Sequence, residues 1–548
     1  MISTLFKFHG GVHPPENKLE STSAPIRSVP MPKRLVLPLR QHVGNLPKIR
    51  VQAGDHVLKG QLLAEAEGSV SAAVHAPTSG IILTIDEQVI PHPSGLPDLC
   101  ITLQPDGEDR WVERTPLDWR NADRRQLVAS LRESGVVGMG GATFPTQIKL
   151  RPGGQSGVRV LILNGAECEP YITCDDMLMR ERADEVVKGI EVAQYLLGAE
   201  RCVIGIEDNK QQAAAAMREA CARSTLPIEV AVVPTLYPSG DARRLIHLLT
   251  GIEVPSDKRS TDVGVQVFNV ATVMAVYRYL EFGEPALSRI VTVTGNVRSP
   301  GNFEVLLGTP IDMLLEAAGG ALPDTNGLVM GGPMMGFSLS SGAVPVTKAT
   351  NCIIAGAPKL FPEPPPAMPC IRCARCADAC PASLQPQELY WFAKSDNFEK
   401  ARDYHLFDCI ECGCCSYVCP SHIPLVQYYR YAKSEILAAD KAKEAANLAR
   451  ERNEFRLSRI EREKQERAAK HAQKAAGAKT DVAVDEAKKA AIAAAMARAS
   501  AQKAEVTPQN TTELPPAVEK EIAAIDARRG ESGPALQAEN PAEKQEQS

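Results

Sequence analysis

The sequence predicts a multidomain α/β protein: a β-rich module in front, a doubly wound parallel sheet, a second small β module, a helical cysteine-rich module and a charged tail. Three observations carry that prediction. The chain has 548 residues, well past the ~250–300 at which a single core stops growing. Apolar strands and helix-period segments alternate through its middle, the pattern of a parallel sheet with crossover helices. Eight of its 15 cysteines fall in two identically spaced runs within residues 370–419.

Composition removes several classes. The net charge is −5 and the pI about 6.1, with no basic stripe, so no nucleic-acid partner is expected. No apolar run approaches the ~20 residues that cross a bilayer. The opening MISTLFKFHGGVHPPENK is too polar for a secretory leader. The expectation is a soluble or peripheral protein with its thiols kept reduced.

Residues 1–123 form the first region. Between 34 and 103, short apolar strands alternate with turn signals, as in RVQAGDHVLKGQLLAEAE and VHAPTSGIILTI. Gly54-Asp55-x-Val57-x-x-Gly60-x-x-Leu63, followed by Ala76-Pro77-x-x-Gly80, resembles the biotinyl and lipoyl carrier domains. Those carry their prosthetic group on a lysine at a hairpin tip. Here the tip falls near Ser69 and Val70, without a lysine, which implies a barrel-sandwich scaffold with no swinging arm.

Residues 124–287 form the doubly wound domain. A helix is predicted over 125–133 and an apolar strand over 158–163. Val186, Ile190, Ala193 and Leu197 recur at helical spacing and Gly198 ends that helix. Further strands are predicted over 202–206 and 228–233, flanking a helix over 211–223. Ligands on such sheets bind beyond the carboxyl ends of the strands.

Residues 288–358 read as a β-grasp-like module, with strands over 290–297 and 303–306 around Pro300-Gly301 and a helix over 311–318. Five prolines within 362–369 mark a linker, and 362–435 hold the cysteine runs. The last 113 residues, 436–548, contain one aromatic, Phe455, too little for a core. Up to Thr507 this tail is proline-free and rich in Ala, Lys, Arg and Glu, so solvated helix is predicted. From Pro508 onward disorder is expected.

The cysteine runs are Cys370-x-x-Cys373-x-x-Cys376-x-x-x-Cys380-Pro381 and Cys409-x-x-Cys412-x-x-Cys415-x-x-x-Cys419-Pro420. Both match the bacterial ferredoxin run, in which three close thiolates hold one [4Fe–4S] cluster and the fourth ligates its neighbour. Steps of three residues in a tight loop let three sulfurs converge on three corners of a cubane. Structural zinc usually takes paired C-x2-C knuckles with four ligands in all, which fits eight cysteines in two three-plus-one runs poorly. Two-cluster pairing would give the sets Cys370, Cys373, Cys376, Cys419 and Cys409, Cys412, Cys415, Cys380. Cys414 reads as a bystander, and the other six cysteines as small buried hydrophobes.

Gly138-x-Gly140-Gly141-Ala142-x-Phe144-Pro145-Thr146 is a candidate phosphate cradle. By itself it reads equally as a structural turn, because a dinucleotide fingerprint follows a strand and this loop follows a helix. Continued to Lys149, however, it resembles the flavin-binding loop of the NADH-dehydrogenase subunit of respiratory complex I. Asn164-Gly165-Ala166-Glu167-Cys168-Glu169-Pro170 resembles that family's acidic loop. Asp262-x-x-x-Gln266-x-x-Asn269-Val270-x-Thr272 resembles one of its helix starts, and Gly295-x-Val297-x-x-Pro300-Gly301 its β-grasp domain.

Two complete cysteine runs, the carrier-like front module opening Gly10-Gly11-Val12-His13-Pro14-Pro15, and the alanine-rich tail resemble instead the C subunits of the bacterial Rnf (or Rsx) complexes. That resemblance implies a peripheral, NADH/NAD-reactive subunit on the cytoplasmic side of the cell inner membrane. It implies two [4Fe–4S] clusters, flavin mononucleotide (FMN), and integral membrane partners in an assembly of roughly six subunits that couples electron transfer to ion movement. It also implies a flavin and nucleotide site at Gly138, Gly140, Gly141, Ala142, Phe144, Lys149, Asn164, Glu167 and Glu169. Three positions depart from the complex I pattern. Met139 replaces an arginine, Thr143 replaces a glycine, and Ala242 beside Asp241 falls where relatives carry a glutamate. An electron relay or scaffold without nucleotide chemistry is the alternative reading.

Overall fold

The computed structural model describes residues 5–151, 157–477, 485–504 and 515–530. It divides into two compact units, Met1–Asp440 and Lys441–Ser548.

The front module is built from seven strands between Leu35 and Pro105, arranged as a four-stranded and a three-stranded sheet. Its longest hairpin pairs Gly80–Val89 with Pro97–Pro105 in antiparallel register. Only glycine fits at position 80, where an added Cβ would lie 2.1 Å from the Gln104 carbonyl oxygen. The tip that swings in carrier domains is tethered here. Arg132 donates to the Ala66 and Gly68 carbonyls at 2.9 and 2.7 Å, and Asn45 N–H to the Val70 carbonyl at 2.8 Å.

The middle sheet has four strands in the spatial order Ile228–Val233, Arg201–Glu207, Val160–Gly165, Val265–Asn269, all parallel. The central strand runs over 160–165 rather than 158–163. Its register is set by both neighbours, since Val160 pairs with Arg201 and with Val265. The Ala183–Leu197 helix ends as predicted, on Gly198 at φ 68°, a left-handed stop that glycine takes at no steric cost. The Val265–Asn269 strand and the Val270–Phe282 helix after it carry the fourth position and much of the core.

The third module is a six-stranded sheet. Cys352–Gly356, for which the sequence carries no strand alternation, lies inside it between Ser288–Gly295 and Gly327–Met330, and Arg27–Ser28 from the front of the chain forms one edge. Successive side chains of a strand face opposite ways, and the sheet uses both faces. Val291, Val293, Ile353 and Ala355 pack with Leu35, Leu37 and Leu63 of the barrel, whereas Ile290, Cys352 and Ile354 join the core of the parallel-sheet domain. The modules expected as separate domains therefore share cores.

The cysteine module consists of short helices ending in the long Leu425–Gly477 helix, with Leu389, Leu406, Tyr429 and Ile436 in its core. In the second unit every described side chain is exposed. Helices occupy Asp485–Ala504 and Pro516–Gly530. The latter corrects the expectation of disorder from Pro508 onward. Only one proline, Pro516, lies in that stretch, at its first position where no N–H partner is needed, and strong helix formers follow. Residues 505–514 and 531–548 lie outside the described residues.

Candidate functional site

The two cysteine runs fold as a repeat. Arg372 and Glu411 both take φ 56°, Ala374 and Gly413 take φ 61° and 82°, and Ser383 and His422 take φ 53° and 50°. Left-handed residues at matching places turn successive amides inward, a concavity suited to anions and to cluster sulfides. The sulfurs then sort by crossing over. Cys370, Cys373, Cys376 and Cys419 line one small cavity. Cys380, Cys409, Cys412 and Cys415 line the other, roofed by Tyr429. Cysteines dominate both linings, four in the first cavity and, counting Cys414, five in the second, and the absence of histidine or carboxylate among the lining side chains except Glu411 suits a cubane better than zinc knuckles. Leu384 and Glu411 donate their N–H groups to the Cys380 and Cys409 sulfurs at 3.4 Å, bonds of the kind that tune cluster potential. Cys414, fully buried, also lines the second cavity.

The halves differ in exposure. The Cys380–Cys409–Cys412–Cys415 cavity faces the parallel-sheet domain. Tyr237 Oη donates to the Cys412 carbonyl at 2.6 Å and Arg244 Nε to the Pro381 carbonyl at 2.7 Å, while Ser256 Oγ donates to the Asp408 carboxylate at 2.6 Å. On the other half, Cys373 is exposed and Ile371 is 67% exposed.

The glycine-rich loop is closed at its base. Gly138 N–H donates to the Phe144 carbonyl at 2.8 Å, and Val137 bridges Pro145. Met139 N–H donates to Thr272 Oγ1 at 2.9 Å, and a Cβ on Gly140 would touch Asn269 at 3.4 Å. The loop thus sits over the start of the Val270–Phe282 helix, whose amides and dipole favour a phosphate. Gly141, at φ 128°, has no atom within 4 Å of where a Cβ would stand, so its bare backbone is open to a ligand.

Lys149 lies below, its ammonium donating to the Val267 carbonyl and 4.6 Å from the Phe268 ring. Burial pushes it down to about 8. Asn164 pairs in register with Asn269 near the carboxyl ends of the Val160–Gly165 strand and its edge neighbour Val265–Asn269, and donates to the Gly240 carbonyl at 2.7 Å. Glu167 accepts from the Asp175 and Asp176 amides at 2.7 and 3.1 Å, capping the Cys174–Glu181 helix. Its carboxyl is raised by burial. Asp175, raised to about 7 by burial and by Glu167 beside it, receives Asn269 Nδ2 at 2.6 Å.

Of the predicted residues, Gly138, Gly140, Gly141, Ala142, Phe144, Lys149, Asn164 and Glu167 thus gather around the strand ends. Glu169 turns elsewhere. Its carboxylate accepts from the Met334 and Met335 amides at 2.7 and 3.0 Å, bracing the third module. Asp241 is the cap of the Ala242–Thr250 helix, accepting from Arg243 and Arg244 N–H. Asp175 escaped the sequence reading, although two acids at a helix start were a signal. Lys18, far away on the N-terminal segment, left none.

Models of known families match along the chain. Residues 131–278 match the model of the Nuo51 FMN-binding domain and 369–423 that of the 4Fe-4S dicluster domain. Residues 6–108 match the RnfC barrel sandwich hybrid domain, and 290–338 the SLBB domain. These matches define the class of a flavin- and iron–sulfur-binding protein, with FMN and [4Fe–4S] clusters as its cofactors.

Over 509 residues the chain is 50% identical to the C subunit of the ion-translocating oxidoreductase complex of Erwinia tasmaniensis, covering 92% of this chain and 62% of that protein. Over 473 residues it is 47% identical to the counterpart from Yersinia pestis bv. Antiqua, covering 86% and 76%. The chain belongs to the family formed by the C subunits of ion-translocating oxidoreductase complexes. It spans less than two thirds of the Erwinia relative's length. A solved NAD+-reducing [NiFe]-hydrogenase matches at 20% identity and a TM-score of 0.41 over 58% of this chain and 61% of that one, a likeness too slight to bear on function. Among the described residues, no helix is long and apolar enough to cross a membrane.

Proposed function

We propose that this chain is the peripheral, NADH/NAD-reactive electron-transfer subunit of an ion-translocating membrane complex, placed on the cytoplasmic side of the cell inner membrane. The observation that carries the reading is the crossed gathering of the eight run cysteines, four to each of two cavities, one of them docked on the parallel-sheet domain. Cys380, Cys409, Cys412 and Cys415 hold the inner [4Fe–4S] cluster, and Cys370, Cys373, Cys376 and Cys419 the outer one. Bound at the 138–144 loop, FMN supplies the exchange between a two-electron hydride and single electrons.

The chain's own residues do the rest. Gly140 and Gly141 offer bare backbone to the phosphate, the Val270–Phe282 helix start favours its charge, and Lys149 supplies a cation below it. Glu167 and Asn164 fix the floor, and Glu169 braces the third module against it. Tyr237 ties that floor to the inner cysteines through the Cys412 carbonyl. The front module serves as a carrier-like barrel without a swinging arm, the middle domain as a doubly wound sheet, and the third as a soluble-ligand-binding β-grasp unit. Ion movement belongs to integral partners of a roughly six-subunit Rnf-type assembly. Moving one charge against ~100 mV costs about 2.3 kcal/mol, which a two-electron drop of about 100 mV covers roughly twice.

An anaerobic absorbance titration with NADH tests this. The flavin band should bleach first and cluster absorbance should follow. Reduction of the clusters by dithionite, with no flavin bound and no response to NADH, would favour the relay reading. One observation leans that way, namely the use of Asp241 as a helix cap.

A further inference from the structure

Lys18 stands on the N-terminal segment that opens Gly10-Gly11-Val12-His13-Pro14-Pro15, and it is 8% exposed. Its ammonium donates to three main-chain carbonyls, those of Glu167 at 2.9 Å, Glu169 at 2.8 Å and Ile172 at 2.5 Å. Three donors meet three acceptors, so the group is saturated. Carbonyls converge this way only because the loop is curled, with Glu167 at φ 52° and Tyr171 at φ 69°, conformations that side chains resist and that surrounding contacts must hold.

We propose that Lys18 is a positioning residue for the flavin site: gripped by these carbonyls, it holds the 167–172 loop in the one shape that presents Glu167 to the glycine-rich loop's supports. The path is continuous. Glu167 accepts from the Asp175 amide at 2.7 Å, Asp175 accepts from Asn269 Nδ2 at 2.6 Å, and Asn269 lies against Gly140. Neighbouring anchors keep the segment in place. Tyr171 N–H donates to the Glu16 carbonyl at 2.8 Å, Ser21 Oγ lies 2.9 Å from Thr173 Oγ1, and Asn302 Nδ2 donates to the Ser21 carbonyl at 2.9 Å. The same segment meets the inner cysteines, where Gly11 N–H donates to the Ala379 carbonyl at 3.0 Å and a Cβ on Gly10 would lie 2.7 Å from the same oxygen. One strand of chain thus braces both redox sites. The inference rests on the flavin reading above.

The test compares full-length wild type, Lys18→Met and Lys18→Gln, prepared anaerobically. FMN affinity is read by quenching of flavin fluorescence, clusters by iron content and electron paramagnetic resonance, and the loop by amide hydrogen exchange. Losing charge-assisted bonds in Lys18→Met should weaken FMN binding by about tenfold or more. Exchange at the Asp175 and Asp176 amides should quicken, with iron content and exchange in the Ile228–Val233 strand unchanged. A merely structural role would loosen both regions alike. Lys18→Gln keeps two donors and should recover part of the affinity. FMN affinity in Lys18→Met within about twofold of wild type overturns the proposal. Should that variant not fold, the same result in Lys18→Gln overturns it. Failure of wild type itself to bind FMN overturns the flavin reading first, and the role of Lys18 with it.

Discussion

Thr143 holds a conformation its side chain resists. It is β-branched, 9% exposed and at φ 45°, a region costing such residues roughly 1–3 kcal/mol. Thr143→Gly should therefore stabilise the protein by about 1 kcal/mol and tighten FMN binding, both measurable by thermal melting with and without FMN. A lower melting temperature would mean the threonine methyl contributes more packing than strain. Lys149 supplies a pH test. With its ammonium pushed down to about 8, it is charged below that pH and neutral above. A phosphate favours the charged form, so FMN affinity should fall as pH rises through 8 and Lys149→Met should flatten the fall. At this scale the sequence was read best where a residue's chemistry depends on near neighbours. Cysteines at steps of three announce a cluster, and Gly138, Gly140 and Gly141 announce a cradle. Lys18 and Glu169 did not, because their partners lie about 150 positions away and no local pattern encodes them.

Among elements, the crossing of the two cysteine runs makes the sharpest prediction. Cys380→Ser should disturb the cluster built on Cys409, Cys412 and Cys415, although Cys380 is nearer in sequence to the other run, and Cys419→Ser should do the reverse. Paramagnetic resonance of the reduced variants separates the two signals. Damage by Cys380→Ser confined to the cluster of Cys370, Cys373 and Cys376 would mean that each run closes on itself. The tail offers a second test. Ile436 is 3% exposed within the cluster module's core and Arg402 pairs with Asp440, so a cut near Lys433 would open that core. A chain ending at Asp440 should retain iron, FMN and reducibility by NADH. Strands and helices of the middle domain were legible from their periods. Cys352–Gly356 was not, since it is buried on both faces, which erases the alternation that marks a strand. Pro516–Gly530 was misread because composition weighs a whole segment, whereas a helix needs only its own residues.

At the scale of the molecule, modules are pinned by single buried groups. Lys348 donates to the Ala73 carbonyl of the barrel at 2.8 Å and the Gly135 carbonyl beside the flavin loop at 2.6 Å, and burial pushes its ammonium from 10.5 down to about 7. Between those values the unfolded chain binds more protons than the folded one, so stability should rise with pH from 7 towards 10.5. The gain is up to about 5 kcal/mol. Lys348→Met should remove that slope, making the variant's melting temperature fall relative to wild type as pH increases. Parallel slopes would mean the ammonium finds compensation elsewhere. The division into modules was legible, but their sharing of cores was not, because strand alternation does not say which neighbour each face meets. The crossed cysteines have a last consequence, for how the protein is made. A growing chain exposes Cys370, Cys373 and Cys376 to the cell's iron–sulfur delivery machinery long before Cys419 leaves the ribosome, and Cys380 waits likewise for Cys415. Neither cluster can be completed until the second run is made, and a message cut between Cys380 and Cys409 would encode a full site for neither.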